Sequence, residues 1–202
     1  MIAVIDYGVG NIHSLVSALD HLGAKSKLTN CIDDLKNCDR IILPGVGAFK
    51  PAMEKLNATG LVPTIIEEVA KGKSLFGICL GMQLLYTHGL EYGEHKGLAF
   101  IPGDITSLKD DTTPETKIPH MGWNKLNFHT NSPLFKYIKN GDHVYFVHSY
   151  YAKSSEYTIA SSVHGGVTIT AITQNKNVYG TQFHPEKSGD VGINLLKAFI
   201  EI

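Results

Sequence analysis

Hydrophobic and polar positions alternate along the first half of the chain in a way that predicts strands followed by helices. A short apolar run at residues 2–5 is followed by a glycine-containing turn at 7–11. The next apolar side chains recur at helical spacing: Ile12, Leu15, Val16, Leu19 and Leu22. The pattern then predicts a strand at 41–43, a helix at 61–71 and a strand at 74–79. Strands and helices in this order predict an α/β fold with a doubly wound, mostly parallel sheet covered on both faces.

The second half of the chain has a different pattern. Four closely spaced strands are predicted at 144–151, 157–162, 167–173 and 178–182, with turn signals such as Gly165-Gly166 between them. The C-terminal half is therefore predicted to add antiparallel strands to the mostly parallel sheet, and a final helix is predicted after Gly189. The segment 104–119 is polar and is predicted to be rich in loops. Since no repeat or linker interrupts the pattern, we expect one domain over residues 1–202.

Composition narrows the class of protein. The hydrophobic fraction is 43% and the charged fraction 18%, which suits a globular chain with a sizeable core. The formal net charge of −1 attracts no polyanion, so neither nucleic acid nor a membrane surface is expected as a partner. No basic segment precedes an apolar run at the N-terminus, and no stretch approaches the roughly 18 apolar residues of a membrane span. We therefore expect a cytoplasmic protein with reduced cysteines.

The most informative local pattern is Gly-Ile-Cys-Leu-Gly at 77–81. It follows a predicted strand and opens a predicted helix, the arrangement of a nucleophile elbow with Cys79 in place of serine. A thiol at a helix N-terminus favours the thiolate, which is the form that attacks carbonyl groups. On this segment alone, a buried structural cysteine is as good an interpretation as a nucleophile.

A second segment supplies a base for that thiol. His184 and Glu186 stand in Gly-Thr-Gln-Phe-His-Pro-Glu at 180–186, just past the end of a predicted strand. Parallel sheets place their sites at this edge, and a carboxylate two residues away can orient the imidazole. Alone, the segment fits an ordinary loop histidine, but together with the cysteine elbow it predicts a catalytic triad.

Acyl chemistry also needs hydrogen-bond donors for the developing oxyanion. The loop Pro-Gly-Val-Gly at 44–47 follows a strand, so Val46 and Gly47 can present backbone N–H groups to a ligand. The N–H of Leu80, directly after the nucleophile, is the other expected donor. No histidine and cysteine cluster has zinc-type spacing, and neither a metal nor a cofactor is expected.

These three segments, in this order, resemble the class I (triad-type) glutamine amidotransferases, which have a flavodoxin-like fold. The resemblance implies that Cys79 attacks the glutamine side-chain amide, that His184 moves the proton and that Glu186 orients His184. It also implies a glutamine pocket formed by five residues: Gly45, Gly47, Gln83, Ser149 and Tyr150. The neighbouring His148 has a less definite role.

Further segments resemble one branch of that family, the glutaminase subunits of imidazole glycerol phosphate synthase in histidine biosynthesis. They lie at 5–11, 117–124, 148–151 and 187–188. In that branch the ammonia passes under cover to a cyclase subunit of (β/α)₈-barrel type, which makes imidazole glycerol phosphate and AICAR from PRFAR. The resemblance implies a heterodimer switched on by the partner and its nucleotide. Four residues would lie towards the partner: Met121, Trp123, Asn124 and Lys187.

Three other functions stay open on the sequence. A related glutaminase can supply ammonia to a different synthase, such as one that aminates surface sugars. A free-standing cysteine hydrolase would need no partner. A regulatory module could have kept the fold and lost the chemistry, although the intact triad residues argue against it.

Overall fold

The computed structural model describes residues 1–202, and the elements follow the chain in this order. The helices are α1 Ile12–His21, α2 Ile32–Asn37, α3 Phe49–Ala58, α4 Val62–Ala70, α5 Leu80–Leu84, α6 Leu108–Asp111 and α7 Gly189–Glu201. The strands are β1 Ile2–Ile5, β2 Ser26–Thr29, β3 Arg40–Leu43, β4 Ser74–Ile78, β5 Tyr86–Gly89, β6 His95–Lys96, β7 Ile101–Ser107, β8 His120–Lys125, β9 Asn127–Phe128, β10 His143–His148, β11 Tyr150–Ala152, β12 Thr158–His164, β13 Val167–Asn175 and β14 Val178–Thr181.

Eight strands form the main sheet, in the order β2-β1-β3-β4-β14-β13-β12-β9. The strands from β2 to β14 run parallel, whereas β13, β12 and β9 extend the sheet with antiparallel pairing. The predicted α/β fold with a mostly parallel sheet and an antiparallel extension is therefore confirmed. The apolar runs predicted as buried strands are those at its centre, because both faces are covered by helices.

The two faces of this sheet build two hydrophobic clusters. Successive strand residues point to opposite faces, so Val4 of β1 packs in one cluster and Ile5 in the other. The first cluster also holds Leu19 of α1 and Phe199 of α7, and Phe199 stacks on Phe76 of β4 with ring centroids 4.9 Å apart. Helices α2, α3 and α4 cover the second face. The layers thus fix the sheet edge where the loops after β1, β3, β4 and β14 meet.

Two predicted boundaries were wrong. The polar segment 104–119 is a loop only from residue 112 onward, because its first residues belong to β7 and α6. The single strand predicted at 144–151 is two strands separated by Ser149. Its first part pairs with β8 and its second part with β7, so the chain passes from one small sheet to another at this residue. No helix combines the length and the apolar character needed to cross a membrane.

Candidate active site

Cys79 occupies a strained turn between β4 and α5. Its backbone has φ +54° and ψ −110°, a conformation that non-glycine residues rarely adopt. The turn is tight because a Cβ on Gly77 would come within 2.7 Å of the Gly81 carbonyl oxygen, and one on Gly81 would overlap the Leu43 carbonyl. The Cys79 N–H donates to the Thr181 carbonyl at 2.7 Å. Because α5 has only five residues, its dipole adds little, and neighbouring side chains must stabilise a thiolate.

The other two residues of the predicted triad, His184 and Glu186, lie on the segment after β14. Both follow β14, and a 3-10 turn at Pro185–Lys187 brings the Glu186 carboxylate to 2.8 Å from the His184 Nδ1. Both side chains are 3% exposed, so this ion pair is shielded from water. Burial alone would lower the pKa of His184, but the Cys79 sulfur and the Glu186 carboxylate together raise it well above its ordinary value. Since Nδ1–H donates to Glu186, Nε2 is left for the thiol proton.

The glycine loop at 44–47 lies directly over the elbow. Its Gly45 carbonyl accepts a hydrogen bond from the Leu80 N–H at 3.3 Å. Because the N–H and C=O of a trans peptide point in opposite directions, the Val46 N–H points away from the elbow. In this conformation the expected donors Val46 and Leu80 therefore do not converge. Gly47 has φ +98°, which a glycine adopts readily.

A cleft of 570 Å³ opens above the sulfur. Cys79 and His184 line it, together with six of the residues expected to hold glutamine or the oxyanion: Val46, Gly47, Leu80, Gln83, Ser149 and Tyr150. Gly45 is not part of it and lines a small cavity behind the triad instead. The Gln83 amide donates to the Tyr150 carbonyl at 2.9 Å and to the Gln182 Oε1 at 3.1 Å. The cleft is large enough for an amino acid and presents polar backbone and side-chain groups to it.

Comparison with known proteins identifies the family. A model of the class-I glutamine amidotransferases matches residues 3–202. The chain belongs to this family. Imidazole glycerol phosphate synthase subunit HisH of Oceanobacillus iheyensis is 50% identical to it, over 100% of this chain and 99% of that protein. The protein of that name from Caldanaerobacter subterraneus subsp. tengcongensis is 44% identical, over 100% and 98% of the two chains. The solved structure of PurLQS from Thermotoga maritima shares the fold, with a TM-score of 0.74 at 20% identity, covering 99% of this chain and 97% of that one.

Sequence reasoning about this amidotransferase did not single out two polar side chains, one in the lining of the cleft and one beside the sulfur. Glu91 lies in the turn after β5, lines the cleft and accepts a hydrogen bond from the Phe49 N–H at 2.8 Å. Gln182 is fully buried, and its amide nitrogen is 3.9 Å from the Cys79 sulfur. Nothing local marks Glu91, because an acidic residue between two glycines of a turn, here Gly89 and Gly93, is typical of any exposed turn. Gln182 lies two residues before His184, and its nearness to that motif was the available signal.

An exposed aromatic face lies on the outer side of β8 and β10. Met121 is 67% exposed and Trp123 57%, and the Trp123 ring meets that of Tyr145 with centroids 6.2 Å apart. Lys187 is exposed and lines the cleft beside this face. Asn124 is placed differently: its side chain points to the inner side of β8, donates to the Val163 carbonyl at 2.7 Å and contacts His120. Three of the four residues expected towards a partner are thus exposed together, and Asn124 is not among them.

Proposed function

We propose that this chain is the glutaminase subunit of imidazole glycerol phosphate synthase, acting as a single cytoplasmic domain over residues 1–202. The observation that carries the proposal is the Cys79, His184 and Glu186 arrangement at the base of an amino-acid-sized cleft. Full-length identity of 44–50% to proteins named as HisH subunits supports the assignment to this synthase rather than to a sugar-aminating one.

The chemistry follows from the arrangement of the three side chains. The Cys79 sulfur attacks the glutamine amide carbon, and the negative charge develops on the amide oxygen. His184 receives the thiol proton and gives a proton to the departing nitrogen, so that ammonia leaves and a γ-glutamyl thioester remains. Water, deprotonated by His184, then attacks the thioester and releases glutamate. Glu186 holds the imidazole in one orientation and stabilises its charged form throughout.

The charges around the cleft suit the amino-acid end of glutamine. Glu91 is the carboxylate that lines the cleft, and its position fits an α-ammonium group. Gly47, Ser149 and Tyr150 offer backbone groups to the α-carboxylate and the side-chain amide, and Gln83 can hydrogen-bond the substrate from below. Gly45 would act through the loop rather than by touching glutamine.

The Gly45–Val46 peptide is the proposed switch. With the Gly45 carbonyl on the Leu80 N–H, an oxygen faces the place where the oxyanion must form. Rotating this peptide would release the Leu80 N–H and bring the Val46 N–H beside it, which completes an oxyanion hole. Partner and nucleotide would favour the rotated state, so the isolated subunit should be a slow glutaminase.

The proposed partner is a (β/α)₈-barrel cyclase that docks on the face formed by Met121, Trp123 and Lys187. Covered transfer is required because ammonia released into water becomes protonated and loses its nucleophilicity. The test is a glutaminase assay of the chain alone, with the cyclase, and with the cyclase plus its nucleotide. Strong stimulation in the last mixture supports the proposal.

Three other results would each reject part of the proposal. Fast turnover by the isolated chain would indicate a free-standing hydrolase. Stimulation by a sugar-modifying synthase, and not by the cyclase, would reassign the partner. No turnover in any mixture would leave a non-catalytic regulatory module.

A further inference from the structure

A buried chain of hydrogen bonds runs beneath the exposed face of β8 and β10 and ends at the cleft. The Asn124 Nδ2 lies 3.3 Å from the His120 Nε2, and the His120 Nδ1 lies 3.0 Å from the His148 Nε2. The His148 Nδ1 lies 2.9 Å from the carbonyl oxygen of Tyr150. His120 is 3% exposed and His148 5%, so neither ring exchanges partners with bulk water. The catalytic triad uses none of these side chains.

The direction of this chain is fixed by its two ends. A carbonyl oxygen can only accept, so His148 carries its proton on Nδ1 and its Nε2 must accept from His120. At the other end, the Asn124 amide donates to the Val163 carbonyl, and its Oδ1 accepts from the Lys125 N–H. The amide nitrogen therefore faces His120, whose Nε2 must accept as well. Each ring thus has a single tautomer, and both rings are neutral.

The surroundings keep the pair neutral. Burial lowers the pKa of His120 to about 4 and that of His148 to about 3. His120 is stacked between Phe146, at a centroid distance of 4.6 Å, and His164, at 4.2 Å. Ring stacking holds the imidazole planes while the hydrogen bonds set their rotation. A buried polar pair of this kind, with every nitrogen satisfied, has one stable arrangement.

The chain continues from Tyr150 towards the reacting sulfur. The carbonyl that accepts from His148 also accepts from the Gln83 Nε2, at 2.9 Å. Because Gln83 uses its amide nitrogen again for the Gln182 Oε1, the Gln182 amide nitrogen is turned towards the Cys79 sulfur. The Tyr150 carbonyl is therefore the point at which the histidine pair and the cleft amides meet.

We propose that His120 and His148 are positioning residues for glutamine turnover: their one-directional hydrogen-bond chain holds the Ser149–Tyr150 segment and the Gln83 amide in the geometry that seats glutamine over Cys79. The inference rests on the proposed glutaminase function. The same two strands present Trp123 and Tyr145 outward and the histidine pair inward, so the hydrogen-bond chain lies directly beneath the face on which the proposed partner docks.

The test uses the glutaminase–cyclase complex with its nucleotide. His148→Phe and His120→Phe keep a ring in each position and remove the nitrogens. His148→Gln restores an acceptor and a donor on one side chain. His164→Phe is the matched control, since His164 stacks on His120 but bonds the Lys117 carbonyl outside the chain. Melting temperature, the KM for glutamine, kcat and the rate of Cys79 alkylation by iodoacetamide without glutamine are measured for each.

We expect folded His148→Phe to raise the KM by about tenfold, the effect of one hydrogen bond lost at a buried carbonyl. His120→Phe should raise it less, and His148→Gln should recover most of the loss. Alkylation of Cys79 should stay near the parent rate, because the triad is intact, whereas general loosening would change both readouts. His164→Phe should match the parent.

A KM equal to that of the parent in either folded Phe variant would overturn the proposal. Failure of both variants to fold would also overturn it, because His120 and His148 would then have a purely structural role. A parent complex that does not hydrolyse glutamine would instead reject the proposed function.

Discussion

Replacing Glu186 by glutamine removes one negative charge beside the His184 imidazole and keeps an oxygen that can accept from Nδ1. The Glu186 Oε1 accepts from the His184 Nδ1 at 2.8 Å, while Oε2 is buried without a hydrogen-bond partner. A glutamine can place its amide oxygen where Oε1 lies, so the imidazole keeps its tautomer. Its NH₂ group then takes the position of the unpartnered oxygen. The variant therefore removes the charge and keeps the Nδ1 hydrogen bond, and the melting temperature reports the cost of burying this NH₂ group without a partner.

The size of the effect follows from the two kinds of hydrogen bond. A bond to a charged group contributes about 1.5–3 kcal/mol and a neutral one about 0.5–1.5 kcal/mol, so the charged imidazole loses about 1–2 kcal/mol. That loss lowers the pKa of His184 towards its ordinary value and reduces kcat/KM by about 5–30-fold. Glu186→Ala should cost more, because it removes the orientation as well as the charge.

The assay is glutamate release by the glutaminase–cyclase complex, with the melting temperature as a folding control. Alkylation of Cys79 by iodoacetamide at neutral pH gives a second readout, since a weaker imidazolium stabilises less thiolate. Both rates should fall in Glu186→Gln. A folded Glu186→Gln variant with the kcat/KM of the parent would refute the role of the carboxylate in stabilising the charged imidazole. A larger loss of kcat/KM in Glu186→Gln than in Glu186→Ala would refute it as well.

Three further outcomes are expected. Trp123→Ala should weaken binding of the cyclase in a titration by about 1–3 kcal/mol, since exposed aromatic side chains are frequent interface anchors. An unchanged affinity would show that the cyclase docks on a different surface. Glu91→Gln should raise the KM for glutamine by about tenfold, because a charge-assisted contact to the α-ammonium group is lost. The rate of Cys79 alkylation should stay unchanged. An unaltered KM would exclude the contact. Tyr7→Phe removes the hydroxyl that donates to the Pro44 carbonyl at 2.7 Å, so the loop at 44–47 can rotate more easily. The glutaminase rate of the chain without its partner should therefore rise about 2–10-fold. A lower rate would show that this hydrogen bond supports the active conformation instead.

The parallel core was predictable because its strands are continuous apolar runs. Residues such as Ile41 and Ile42 point to opposite faces, and both are buried, which alternation alone cannot produce in a half-exposed strand. The nearness of Cys79 and His184 was predictable for a different reason: Cys79 directly follows β4, and His184 lies just past the end of β14 at the same sheet edge. Sequence order and sheet direction together bring them to one site.

Strand β8 shows that the sequence pattern does not always predict which face of a strand is buried. Its alternation places apolar Met121 and Trp123 on one face and His120 and Asn124 on the other, so a simple rule would bury the first pair. The structure buries the histidine and exposes the tryptophan, because the inner face is lined by a satisfied hydrogen-bond chain. His148, which pairs with His120, lies 28 residues further along the chain on the neighbouring strand β10. Their pairing becomes visible only in three dimensions.

The central claim is that Cys79 makes the ammonia that the cyclase consumes. The most direct test compares Cys79→Ala with the parent, each in complex with the cyclase and its nucleotide, supplied with either glutamine or an ammonium salt. We predict that Cys79→Ala abolishes glutamate release and glutamine-dependent synthesis, while ammonium-dependent synthesis continues at the parent rate. Glutamate release at the parent rate from Cys79→Ala would contradict the claim.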